Sequence, residues 1–138
     1  MYLFDASSIL NLIKRGSVTP LADGLTLDLT LYECLNAIWK ECKLLERFGE
    51  DVALDYVGIV ADLFRSMRVS SIKGLEEEVF ELACEEGVTV YDASYLHLAK
   101  AKSLVLVTDD RKLREKALKY IKVLTSRDIE KRYAGSIN

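Results

Sequence analysis

Glutamine is missing from these 138 residues, proline and histidine each occur once, and asparagine occurs only three times. The single histidine, His97, removes whole chemistries: no HExxH zinc site, no paired-histidine ribonuclease, no redundancy for a Ser-His-Asp triad. Its place in mid-helix between apolar neighbours suits a packing or surface residue. The three cysteines, Cys34, Cys42 and Cys84, are odd in number and lack CxxC spacing. Each falls on or near an apolar helical stripe, so they read as small buried residues with reduced thiols. No apolar run approaches the roughly 20 residues of a membrane span. The opening apolar segment ends at Asp5 without a basic leader, which predicts a cytoplasmic protein. There is also no glycine-rich phosphate loop, internal repeat or low-complexity segment.

What remains is ordinary for a globular chain: half the residues are hydrophobic and 30% are charged. The abundance of Lys, Arg and Glu suits the ion-pair networks of proteins built for heat. The length predicts a single domain over 1–138, large enough to bury a core unaided. A net charge of −3 excludes a binder that is basic all over. It leaves room for a local basic rim around a metal-loaded pocket.

The spacing predicts strands over 2–4, 25–29, 67–72, 104–107 and 121–124. Helices are expected over 8–15, 30–48, 50–65, 74–86, 111–119 and 125–133, with another between 89 and 103. In the third of these Leu54, Val57, Ala61 and Phe64 form one side; in the helix after 89, residues 91, 95, 96, 98 and 99 do. Alternating strands and helices argue an α/β protein with a parallel sheet covered on both faces. Trp39 and the tyrosines at 32, 56 and 95 read as core or interface residues, and the glutamates from 76 to 86 as a solvated face.

The stretch from Thr89 to Leu113 organises the site. A helix of about 11 residues rises roughly 16 Å, and a strand of about five residues returns a similar distance. Asp92, near the helix start, and Asp110, after the strand, therefore return to one edge. Asp5 lies at the end of the first strand and Glu33 just past the second, so four acids share the carboxyl edge of the sheet. Singly they are good helix caps: Thr89 with Asp92 and Thr30 with Glu33 both have capping-box spacing. Together they repel, by on the order of 4 kcal/mol for a pair at about 4 Å and an effective dielectric near 20. Protons or cations must join such a cluster, and carboxylate oxygens without Cys or clustered His select Mg2+ or Mn2+. That arrangement suits in-line attack of an activated water on a phosphodiester.

Asp5-Ala6-Ser7, Glu33-x-x-Asn36, Tyr91-Asp92-Ala93-x-Tyr95-Leu96-x-Leu98-Ala99 and Thr108-x-Asp110-x-x-Leu113 occur in this order. They resemble the motifs of PIN-domain nucleases, most closely the VapC toxins of VapBC toxin–antitoxin systems, over nearly the whole chain. The resemblance implies a three-layer α/β/α sandwich with a mostly parallel five-stranded sheet. It implies a Mg2+- or Mn2+-dependent endoribonuclease, commonly a homodimer, held inactive by a cognate VapB-like antitoxin. Carried over by position, Asp5, Glu33, Asp92 and Asp110 become the catalytic, metal-holding quartet. Ser7 and Thr108 match the hydroxyl residues beside the first and fourth acids. Asn36, one turn from Glu33, is placed to orient it. The T-x-D spacing favours Asp110 over its neighbour Asp109 as fourth acid. Lys14, Arg15, Lys40, Arg111, Lys112 and Arg114 are candidates for an RNA-facing rim.

Neighbouring α/β classes lack their signatures. Haloacid-dehalogenase-type phosphatases place a second Asp two residues after the first, where this chain has Ser7; receivers place an acid after the third strand, where it has Ser70-Ser71. Two other readings stay open: a PIN nuclease of RNA processing outside toxin systems, and a non-catalytic module whose acidic pocket takes a basic partner peptide.

Overall fold

The opening Tyr-Leu-Phe triplet pairs on both sides, which is why it can be so short and so apolar. In the computed structural model, which describes residues 1–137, β1 (Tyr2–Phe4) sets Leu3 opposite Leu25 of β2 (Gly24–Leu27) and Leu106 of β4 (Val105–Val107). With β3 (Arg68–Ser70) and β5 (Val123–Leu124) the sheet runs β3-β2-β1-β4-β5, every pairing parallel. The helices are α1 (Ala6–Lys14), α2 (Asp28–Trp39), α3 (Glu50–Ser66), α4 (Glu76–Glu86), α5 (Val90–Ala101), α6 (Arg111–Ala117) and α7 (Ser126–Ile137). A 3-10 turn, Thr19–Asp23, leads into β2. No helix among the described residues is long and apolar enough to cross a membrane.

Successive strand residues point to opposite faces, and the core divides accordingly. Leu3, Leu25, Leu27 and Leu106 pack with Val79 and Leu82 of α4, Leu96 and Leu98 of α5 and Leu113 of α6. Phe4, Val107 and Leu124 pack on the other side with Ile9 and Leu12 of α1, Cys34 of α2, Val60 of α3 and Ile129 of α7. The result is the α/β/α sandwich, with its five strands parallel. Gly24 is required where β2 approaches β1: a Cβ there would stand 2.3 Å from Phe4 Cε2 and 2.9 Å from the Tyr2 carbonyl oxygen. Gly87, at φ 63, ends α4 in the left-handed conformation, as its place after the glutamate run predicts.

Several boundaries differ from expectation. The helix expected over 30–48 begins at Asp28 and gives way to a π turn, Lys40–Leu44. There Leu45 N–H reaches the Lys40 carbonyl at 2.9 Å, and Glu46, at φ 50, breaks the helix before Phe48. The Thr30–Glu33 capping box does not form, because Thr30 lies inside α2. β1 keeps its expected bounds, and the other four strands are shorter than the runs that announce them. On α3 the buried residues are Ala53 and Val60, while Leu54 is 66% exposed. Cys84 is exposed and Cys42 half-buried; only Cys34 is fully enclosed. Trp39, Tyr32 and Tyr91 stand largely in solvent, and only Tyr95 of the expected core aromatics is fully buried.

Candidate active site

A parallel sheet sends the C-terminal ends of its strands to one edge, and there the four acids arrive. Asp5 leaves β1 and caps α1, its Oδ1 accepting the Ser8 N–H at 2.9 Å. Ser7 Oγ donates to both its oxygens at 2.8 and 3.0 Å, and the Thr108 hydroxyl donates to Oδ2. Thr108 Oγ1 in turn accepts the Asp110 N–H at 3.0 Å, and Ser7 Oγ accepts the Asp109 N–H at 2.9 Å. The turns after β1 and β4 are thus stitched together through the first acid. Asp5 is 4% exposed, and burial pushes its carboxyl up to about 6 although every one of those hydrogen bonds pulls it down.

Glu33 projects from α2, and Tyr95 OH donates to its Oε1 at 2.6 Å. Tyr95 is 1% exposed and also pairs with Thr30 Oγ1, so α5 and α2 meet through a buried phenol. Burial, then the Glu33 charge, drives that phenol's ionisation upward and keeps it a donor. Glu33 itself is raised by burial, against the lowering bond from Tyr95, with smaller contributions from the Asp92 and Asp110 charges. Asp92 lies in the first turn of α5, its N–H bonded to Thr89 Oγ1 at 3.1 Å, and its carboxyl is raised by burial and then by Asp110. Asp110 caps α6, accepting the Lys112 and Leu113 N–H groups at 2.9 and 3.1 Å. The helix-end role read from sequence is real for Asp5 and, through the Thr89 hydroxyl, for the start of α5 at Asp92; Asp110 adds a cap of its own, and all three border the cavity.

Asp5, Glu33, Asp92 and Asp110 line one cavity of about 390 Å3, together with Ser7, Asn36, Lys40, Tyr95 and Leu113. The donor set is all oxygen and anionic, which fits a hard divalent cation. Among the described residues no three His, Cys, Asp or Glu side chains close into a ready-made cage; the acids are held instead by Ser7, Thr108, Tyr95 and backbone N–H groups. Asp109 points elsewhere: it accepts Asn11 Nδ2 at 2.6 Å and the Ser126 N–H and hydroxyl at 2.8 and 2.6 Å. Asn36 borders the cavity, but the hydrogen bond to Glu33 comes from Tyr95, which spacing alone assigned only to core or interface. Of the six basic rim candidates, Lys40 lines the cavity. Lys14 pairs with Glu41, Arg15 with Glu130 and Ser126, and Arg111 with Glu115; Lys112 is exposed and Arg114 half-buried on α6. His97 is half-buried away from this wall, and the buried Cys34 thiol is pushed up to about 12 by burial and by Asp5 and Glu33.

Fold and cavity together define an α/β/α protein with an acidic site at the carboxyl edge of its parallel sheet. The chain belongs to the PIN-domain family, whose profile matches residues 2–119. It is 42% identical over 103 residues to the exonuclease VapC9 of Pyrobaculum aerophilum, covering 72% of this chain and 71% of that protein. It is 40% identical over 93 residues to the ribonuclease VapC3 of the same organism, covering 66% and 69% respectively. The crystal structure of PAE2754, also from Pyrobaculum aerophilum, superposes with a TM-score of 0.80 at 33% identity over 97% of this chain and 96% of that one.

Proposed function

We propose that this chain is a metal-dependent endoribonuclease of the VapC type, hydrolysing RNA phosphodiester bonds at the cavity walled by Asp5, Glu33, Asp92 and Asp110. The observation that carries the reading is the convergence of four carboxyls from four separate elements on one cavity, with Asp5 buried and pushed up to about 6. Those four residues would hold Mg2+ or Mn2+. Such an ion, when bound, lowers the pKa of water and neutralises charge on the phosphodiester. The chain's own part is positional. Ser7, Thr108 and the Ser8 N–H fix Asp5, Tyr95 fixes Glu33, and the first N–H groups of α6 fix Asp110. Lys40 supplies positive charge at the wall for the substrate backbone.

Kinship to VapC proteins supports a VapB-like antitoxin as partner, which can inhibit by placing Arg or Lys among the carboxylates. It likewise supports action in the cytoplasm as a homodimer. The decisive assay uses linear and circular RNA of varied sequence with Mn2+ or Mg2+, with EDTA, and with Asp5→Asn and Asp92→Asn. Wild-type protein is expected to cut both forms only with metal, and each substitution to lower the rate at least about 100-fold, as for loss of a group that holds a catalytic ion. Cutting of linear RNA alone would make the enzyme an exonuclease. Cleavage indifferent to both substitutions would remove these acids from the reaction, and no metal-dependent cleavage would leave a module that binds a basic peptide.

A further inference from the structure

A second recess, of about 520 Å3, adjoins the acidic cavity and shares Glu33 and Asn36 with it; its other walls are Leu29, Tyr32 and Tyr91. Tyr32 is 74% exposed and Tyr91 61% exposed. Neither hydroxyl makes a hydrogen bond within the described residues, so neither ring serves the fold through a polar contact. Each tyrosine is the chain neighbour of an acid, Tyr32 beside Glu33 on α2 and Tyr91 beside Asp92 on α5. One helical step is about 100°, which turns the ring to the side of the carboxylate. Two rings on two helices thus border the same recess, immediately beside the acids.

The placement answers a physical problem. A polyanion brought to this cavity meets four carboxylates on a chain of net charge −3, and among the described residues Lys40 is the one basic side chain on the cavity wall. Phosphate contacts alone are a weak source of affinity there. Stacking is not: a base laid on an aromatic ring is held whatever its sequence and without a phosphate contact. We propose that Tyr32 and Tyr91 form a stacking platform for an unpaired nucleobase of single-stranded RNA, next to the phosphodiester presented to the acids. Asn36, on the shared wall, faces the base edge with one donor and one acceptor group. Bases inside a duplex hide their faces, so the platform selects single strands. The inference rests on the nuclease reading, because it names how that site holds its substrate.

Binding is measured by fluorescence anisotropy of a labelled single-stranded RNA on the Asp92→Asn protein with Mg2+, so that turnover is not needed. Tyr32→Leu and Tyr91→Leu are each expected to weaken binding about tenfold, while Tyr32→Phe and Tyr91→Phe stay within about twofold of the parent, since the ring does the work. An RNA with one abasic position at the platform is expected to bind the parent about tenfold more weakly and the double Leu variant no more weakly than intact RNA does. Both tyrosines are exposed, so thermal unfolding of the variants is expected to match the parent. Leu variants that bind like the parent, or an abasic position felt equally by parent and double variant, would overturn the platform. A change in subunit number of the double Leu variant by light scattering would overturn it too, assigning the rings to contact between copies. If wild-type protein cleaves no RNA yet binding depends on rings and base, the platform stands and the nuclease reading falls. If wild type cleaves and the Leu variants bind like the parent, the platform falls alone.

Discussion

Tyr95 shows what a single residue adds that spacing does not reveal. In the sequence it is one of several apolar-face positions, and its burial at 1% fits that reading. Its hydroxyl, however, is the hydrogen bond that Glu33 receives, while Thr30 completes the phenol. Periodicity reports which face of a helix a residue occupies, never what its terminal atom touches across the sheet edge. Tyr95→Phe keeps the ring and its packing and removes only the donor. It is expected to weaken Mn2+ affinity about 10- to 100-fold, the range for losing an outer hydrogen bond to a ligand, as read by titration calorimetry. Affinity unchanged by this substitution would mean that Glu33 is oriented by something else.

At the scale of elements, the sequence patterning located every strand and helix in order, because buried parallel strands are apolar runs and glycines or caps punctuate the helices. Two of the places where it strains are tertiary. The end of α2 depends on the π turn at Lys40–Leu44, whose hydrogen bonding no propensity encodes. The pair Asp109-Asp110 depends on which carboxylate the turn after β4 sends into the cavity. T-x-D spacing favours Asp110; in the turn itself Asp109 binds α1 through Asn11 and α7 through Ser126, while Asp110 caps α6 at the cavity wall. Neighbouring aspartates therefore separate in experiment. Asp109→Ala strands three donors, one on Asn11 of α1 and two on Ser126 of α7, and is expected to cost about 2–4 kcal/mol in chemical denaturation with little change in metal affinity. Asp110→Asn keeps a good cap, is expected to change stability by less than about 0.5 kcal/mol, and to weaken metal binding. The reverse pattern would exchange their roles.

For the molecule as a whole, the acidic edge sets a conflict between folding and function that pH exposes. Asp5 is raised by burial from 3.8 to about 6, and Glu33 and Asp92 are raised in the same direction. A carboxyl whose folded pKa lies above its unfolded value favours folding in its protonated form. Its contribution is complete below about 4 and is lost as pH rises through about 6. For Asp5 the interval corresponds to about 3 kcal/mol, a sizeable part of the roughly 5–15 kcal/mol that holds a domain together. Glu50, Glu76, Glu86 and Asp128 are lowered and act in the opposite sense, but what they contribute is lost only as pH falls below their ordinary values of 3.8 to 4.5, outside the interval compared. The metal-free protein is therefore expected to melt at a higher temperature at pH 5.5 than at pH 7.5. Mn2+ at pH 7.5 is expected to more than restore the difference, which is about 1 kcal/mol over this interval, by adding about 2.7 kcal/mol at 100 times its dissociation constant. The same ion is expected to have less effect at pH 5.5, where a proton competes with it at Asp5. Thermal scans at four combinations of pH and metal test this. Metal-free protein that gains stability from pH 5.5 to 7.5 would show that the carboxyl edge carries no such strain. A cation effect equal at both pH values would place the ion away from these acids. On the proposed reading, it is a cation, or at low pH a proton on Asp5, that offsets the burial of these acids.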